Sequence, residues 1–300
     1  MAAALNRPLA GIGLRLLAAL ALSVMFATAK LADERGAHLV EIVFWRQAFV
    51  LPIVLAVVFA SGQGIASLRT AKPRAHLWRM IVGLSGMCFN FWAVTLLPLA
   101  ESTTFGFTVP IFATILSALV LGEATGRHRW AAVIAGFVGV LIVLQPGDGH
   151  VPLAGALVAL TGAVLTASVT ILIRQLGATE RATTTVFWFS ASSLVPMGIA
   201  LPFFTSQHDG ATWGLLLATG IAGGIAQLAL TGALRLAPVA VVLPMDYSSL
   251  IWATALGWLL FGVLPAPLTW LGAPIIIASG LYIVWREHRL RRAASLAPID

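Results

Sequence analysis

"LAESTTFGFTVPIFATILSALVLGE", residues 99–123, holds charge only near its two ends, at Glu101 and Glu123. Between them run apolar residues broken by nothing more polar than Ser and Thr, with Pro110 in the middle. At about 1.5 Å per residue such a stretch reaches across a hydrocarbon core of roughly 30 Å. Pro110 has no N–H to give to the helix ladder, a defect that a bilayer helix tolerates where its neighbours satisfy the freed carbonyl. The segment reads as a transmembrane helix with a weak point at its centre.

The rest of the chain repeats this pattern. Of 300 residues, 59% are hydrophobic and 10% charged, against about 25% charged in ordinary soluble domains. Too few polar residues exist to coat a soluble fold, so the chain is an all-α integral membrane protein. Ten apolar stretches can cross: 10–30, 38–60, 76–98, 101–122, 128–145, 153–174, 183–204, 211–231, 238–263 and 267–285. Turn residues such as Gln145-Pro146-Gly147 separate them, and the shortest link, Pro98-Leu99-Ala100, predicts a tight hairpin.

Lys and Arg collect at alternate ends, the pattern of cytoplasmic loops. A cytoplasmic N-terminus places Arg7 and Arg15, then Arg69, Lys72, Arg74 and Arg79, inside. Arg127, Arg129, Arg174, Arg181 and Arg235 follow, and the tail adds Arg286, Arg289, Arg291 and Arg292; only Lys30 and Arg35 fall outside, with Arg46 inside a helix. Both termini are therefore expected in the cytoplasm of a cell whose inner membrane holds the chain. The net charge of +7 is a topology signal and not a nucleic-acid surface. The tail, 286–300, fits anionic lipid. Ala27-Thr28-Ala29 resembles a leader-peptide cleavage site, but the apolar run before it is too long for one. Cys88 stands alone, and no disulfide follows from it.

Residues 107–144 align with 247–284 at an offset of 140, matching Thr114 to Thr254, Gly122 to Gly262, Trp130 to Trp270 and Leu141 to Leu281. Val43-Phe44-Trp45 before Pro52 likewise parallels Val186-Phe187-Trp188 before Pro196. Five spans per repeat is an odd number, so the second repeat must enter the membrane from the opposite side. Two inverted five-helix repeats (5+5) around a central cavity are the expected architecture, as in many secondary transporters. The repeats span 1–148 and 149–285.

These features, above all residues 99–123 with Pro110 and the closing Gly122-Glu123, resemble the EamA-type proteins of the drug/metabolite transporter superfamily. The second repeat departs from that pattern, with Val263 after Gly262. The resemblance implies transport of a small organic metabolite, with no cofactor. It leaves the metabolite open.

Charge at membrane depth marks the candidate site. Asp246, the ninth residue of its span, lies about 12 Å in, where a carboxylate costs roughly 2.5–3.5 kcal/mol. It calls for a cavity, a cation or a proton. Tyr247, Leu250 and Thr254 share its helical face, Trp252 projects beside it, and Pro244 loosens the ladder. Thr103, Phe107, Pro110, Thr114 and Ser117 form a facing stripe. In the third span Gly83, Gly86, Asn90 and Ala93 make another, and the Asn90 amide needs partners. Such stripes also serve close helix packing. The substrate-binding candidates are thus Asp246, Tyr247, Asn90, Thr103, Phe107 and Trp252, with Pro110 and Pro244 as gating residues. Arg46 either pairs with a carboxylate of another helix or holds an anionic group of the substrate, and the structural pair is the expected role. Glu41 and Glu101 lie at span ends.

The expected activity is secondary active export, by alternating access, of small organic metabolites such as amino acids or related amino-bearing compounds, with coupling protons and a homodimer left open. The alternative is uptake or exchange of a nucleotide-like or vitamin metabolite of the S-adenosylmethionine or riboflavin type. A membrane-embedded enzyme is the remote alternative: no GxSxG and no metal-spaced histidines occur. A channel lacks any filter-like repeat.

Overall fold

The computed structural model describes residues 7–62, 64–120, 122, 126–145, 151–177, 180–237 and 239–295. Glu123, the 146–150 link and the last five residues lie outside these. Every regular element among the described residues is helical: α1 (Pro8–Glu34), α2 (Leu39–Ala60), α3 (Pro73–Leu96), α4 (Leu99–Gly106), α5 (Val109–Val120) and α6 (Arg127–Leu144) come first. The second half holds α7 (Leu153–Gly177), α8 (Ala182–Phe204), α9 (Gly210–Leu236), α10 (Val239–Val242), α11 (Ser249–Phe261) and α12 (Thr269–Ser295).

Nine spans among the described residues are long and apolar enough to cross a membrane, with α4 and α5 counted as one. A tenth apolar segment, Val239 to Phe261, is broken. Two of the helices expected to be continuous are interrupted, each beside its proline. Pro110 cannot donate to Gly106, and the chain turns at Phe107 and Thr108 between α4 and α5. Near Pro244 the helix tightens into a 3₁₀ turn, Leu243–Ser248, before α11 resumes. The regular face expected through Asp246, Tyr247 and Leu250 is therefore replaced at its start by the tighter 3₁₀ spacing.

α1 packs along α9 and α3 along α7. Taking the spans of each half in order, these are the same pairing read twice. α2 meets its counterpart α8, α6 meets α12, and α4 meets α11. Glycines permit the closest of these approaches. A Cβ on Gly139 would sit 2.8 Å from Ile276, and one on Gly220 2.5 Å from Phe49. The outer surface carries many large apolar residues, with Ile134, Ile199, Phe203, Ile251 and Leu259 all exposed, the surface that lipid requires.

Two carboxylates tie loops to helix starts at one end of the bundle. Glu41 caps α2 through the His38 amide at 2.9 Å and also accepts from the Thr205 hydroxyl at 2.8 Å and from His208 at 2.9 Å. Glu101 accepts from the Ala266 amide at 2.7 Å and the Thr269 hydroxyl at 3.2 Å. At the same end Lys30 donates to the Val94 and Leu97 carbonyls, closing the terminus of α3. At the opposite end the Leu68 carbonyl accepts from the Trp188 indole at 2.8 Å.

Candidate functional site

Two polar clusters lie inside the bundle. The first centres on Asp246. Both Nε and one terminal nitrogen of Arg15 donate to its carboxylate in a two-pronged pair. The Arg15 side chain is only 6% exposed, whereas that of Asp246 is 41% exposed. Arg15 is the eighth residue of α1 and so sits within the span, not in a cytoplasmic loop. Beside the pair, the Tyr247 ring meets Phe107 edge-on at 4.9 Å between centroids. Glycine at 280 makes room for the phenol, since a Cβ there would lie 2.4 Å from the Tyr247 oxygen and 3.7 Å from Pro110. Phe107 and Tyr247 are also the first pair of the offset-140 alignment, and here they touch.

The candidates do not all converge. Asp246, Tyr247, Phe107, Pro110 and Pro244 gather where α4, α5 and the 3₁₀ turn meet α1 and α12. Thr103 on α4 is half-buried and shares no hydrogen bond with Asp246 among the described residues. Trp252 on α11 keeps a buried indole nitrogen without a partner, as does the Thr254 hydroxyl.

Asn90 belongs to a second cluster, with Arg46. They line a cavity of about 210 Å³ together with Arg79, Thr166, Phe189 and Gln227. The Asn90 amide donates to Thr166 at 3.1 Å, and its oxygen lies over Gly162, where a Cβ would approach to 2.5 Å. Arg46 donates to Gln47 at 2.5 Å, but its Nε has no partner. The carboxylate expected for Arg46 is not among the described ion pairs.

Arg79 escaped the sequence reading because the positive-inside argument placed it among loop charges. It is the seventh residue of α3, is 8% exposed, and stacks its guanidinium 3.8 Å from the centroid of the Phe189 ring. A signal was present. Arg79 lies four residues before Gly83 and so extends the Gly83–Gly86–Asn90 stripe by one turn.

A bundle whose described elements are all helical, with an apolar coat and a polar cavity inside, defines a polytopic membrane protein. The sequence profile of the EamA-like transporter family matches residues 9–145 and again 153–285. The chain belongs to that family, and its members' named activities place it among membrane transporters of the drug/metabolite superfamily. It is 30% identical over 298 residues to a riboflavin transporter of Vibrio cholerae, covering 97% of this chain and 99% of that one. A pseudopaline exporter, CntI of Pseudomonas aeruginosa, is 30% identical over 272 residues, covering 90% and 94%. A crystal structure 19% identical superposes with a TM-score of 0.61 over 93% of this chain and 98% of that one.

Proposed function

We propose that the chain is a secondary active carrier that moves a small organic metabolite by alternating access between two inverted halves, 1–148 and 149–285. One observation carries this reading. The cavity walls come from α1, α2 and α3 of one half and from α7, α8 and α9 of the other, the place where inverted-repeat carriers bind cargo. The reciprocal packing of α1 on α9 and α3 on α7, with Phe107 against Tyr247, supports the two-fold relation. Rocking one half against the other opens such a cavity to each side in turn.

Asp246 is the group through which amino-bearing cargo or a coupling proton enters this cycle. Its half-exposed carboxylate can exchange Arg15 for an ammonium group or a proton as the halves move. Both termini are cytoplasmic in this reading, with the 286–300 tail on the inner leaflet.

Flux in sealed vesicles tests the carrier. With purified protein and labelled riboflavin or a labelled amino-acid mixture, uptake should saturate with concentration and accelerate when unlabelled cargo is preloaded. Linear, unsaturable flux would show a channel instead. For topology, single cysteines at Ala66 and Gln207 in a Cys88→Ala background should differ. A membrane-impermeant reagent should label Gln207→Cys alone in intact cells; the reverse pattern would sink the orientation.

A further inference from the structure

The second cluster holds two guanidinium groups that pair with no carboxylate among the described residues. Arg79 is 8% exposed, and neither its Nε nor one of its terminal nitrogens has a hydrogen-bond partner; the Nε of Arg46 is likewise buried and unpartnered. No described carboxylate lies within ion-pair distance of either residue. Unpaired buried charge is costly, and buried donors are nearly always satisfied. Two such cations facing one cavity call for an anion that arrives from outside the chain.

The backbone is shaped to keep these groups in place. A Cβ on Gly83 would lie 2.8 Å from an Arg79 nitrogen and 3.0 Å from Phe189. On the opposite wall, a Cβ on Gly223 would lie 3.2 Å from the Arg46 Nε and 3.1 Å from the Met25 sulfur. Glycine therefore stands at the positions where any side chain would displace a guanidinium. Phe189 orients the Arg79 plane by stacking, leaving its N–H edge for a planar or tetrahedral oxyanion. Asn90, Thr166 and Gln227 offer neutral polar contacts on the same walls, and Met25, Phe26 and Phe91 supply an apolar side.

We propose that Arg46 and Arg79 form the recognition site for an oxyanion, carboxylate or phosphate, carried by the transported metabolite. The proposal rests on the carrier reading and assigns its cargo class: an anionic or zwitterionic compound with an apolar part, not a purely cationic amine. Arg79 supplies the stacked fork, and Arg46 supplies the second charge across the cavity.

Matched ligands that differ only in the oxyanion provide the test. Riboflavin 5′-phosphate against riboflavin, and phenylalanine against phenylalaninamide, are titrated onto the purified full chain in detergent and read by thermal shift and equilibrium binding. In at least one pair the oxyanion member should bind tighter, and Arg79→Gln should weaken it roughly ten- to hundredfold, the range for losing a hydrogen bond to a charged group. Arg79→Gln should fold at least as well as the parent, because it removes a charge without a partner. Should that variant fail to fold, Arg46→Gln makes the same measurement from the other wall. Equal binding of both members in every pair, no binding of either oxyanion, or unchanged oxyanion affinity in the variants would overturn the site. The carrier reading fails separately. Oxyanion binding without vesicle flux leaves this site standing, whereas saturable flux indifferent to both arginines sinks the site and leaves the carrier.

Discussion

Two arginine sites inside this bundle are treated differently. Arg15 meets a carboxylate through two nitrogens. Arg46 and Arg79 face a cavity with bare nitrogens. A closed pair holds a charge for the protein's own use, in assembly or in switching between states. An open pair is a cost that only a visitor relieves, and proteins concentrate such costs where they bind. The difference separates a charge that is paired at rest and released only as the halves move from charges left open to an incoming anion.

Breaking the closed pair should give the largest effect, and an asymmetric one. Asp246→Asn leaves the nearly inaccessible Arg15 without its counter-charge, at about 3 kcal/mol, the lower range for breaking a buried pair. Arg15→Gln leaves a carboxylate that is 41% exposed and should lose visibly less. Monodisperse folded yield and thermal unfolding of the two variants check the order. Equal losses would mean that the pair is not buried on the arginine side.

Joining the two changes sharpens the point. Arg15→Gln with Asp246→Asn removes both charges and should recover part of the loss, with a coupling of about 1–3 kcal/mol. Strict additivity would show that the pair forms only fleetingly. If Asp246 also carries cargo or a proton, the double variant folds but does not transport.

Smaller effects are expected at the open pair. Arg46→Lys keeps the charge but not the planar fork. With no carboxylate to lose, it should change folded stability by less than about 1 kcal/mol, the scale of single uncharged contacts, while shifting ligand preference. A large loss of yield would restore the structural role read from the sequence. Gly83→Ala should have the smallest effect on stability, because alanine favours a helix over glycine by about 1 kcal/mol and so offsets the crowding. Its methyl group nevertheless crowds the Arg79 guanidinium, so oxyanion affinity should drop while the helix gains. Unchanged affinity would mean that the guanidinium has room to step aside.

The apolar spans and their order were legible because a bilayer allows few alternatives, and the family was legible through the resemblance carried by residues 99–123 with Pro110. The breaks at Phe107 and at 243–248 were half legible. Pro110 and Pro244 marked them, but helical periodicity carried the reading through. The charge partners were not legible at all. Arg15 and Asp246 are 231 positions apart, and nothing local to either names the other. Arg79 was hidden by a rule that works for loops: basic residues near span ends count toward topology whether or not they turn inward. Its spacing from Gly83 was the available clue, and it needed the structure to become persuasive.

The pair between α1 and the 3₁₀ turn has a consequence for how the chain is made. Arg15 enters the membrane with the first helix, yet its carboxylate is encoded 231 residues later. At about 5–20 residues per second of synthesis, roughly ten to fifty seconds pass before Asp246 leaves the ribosome. During that interval Arg15 must be sheltered by water, lipid phosphate or the insertion machinery, because its own helix offers it nothing. The first helix is therefore held provisionally, and the 3₁₀ turn at Leu243–Ser248 fastens it. A ribosome stalled before Asp246 should yield a chain whose first helix is extracted far more easily than that of the finished protein.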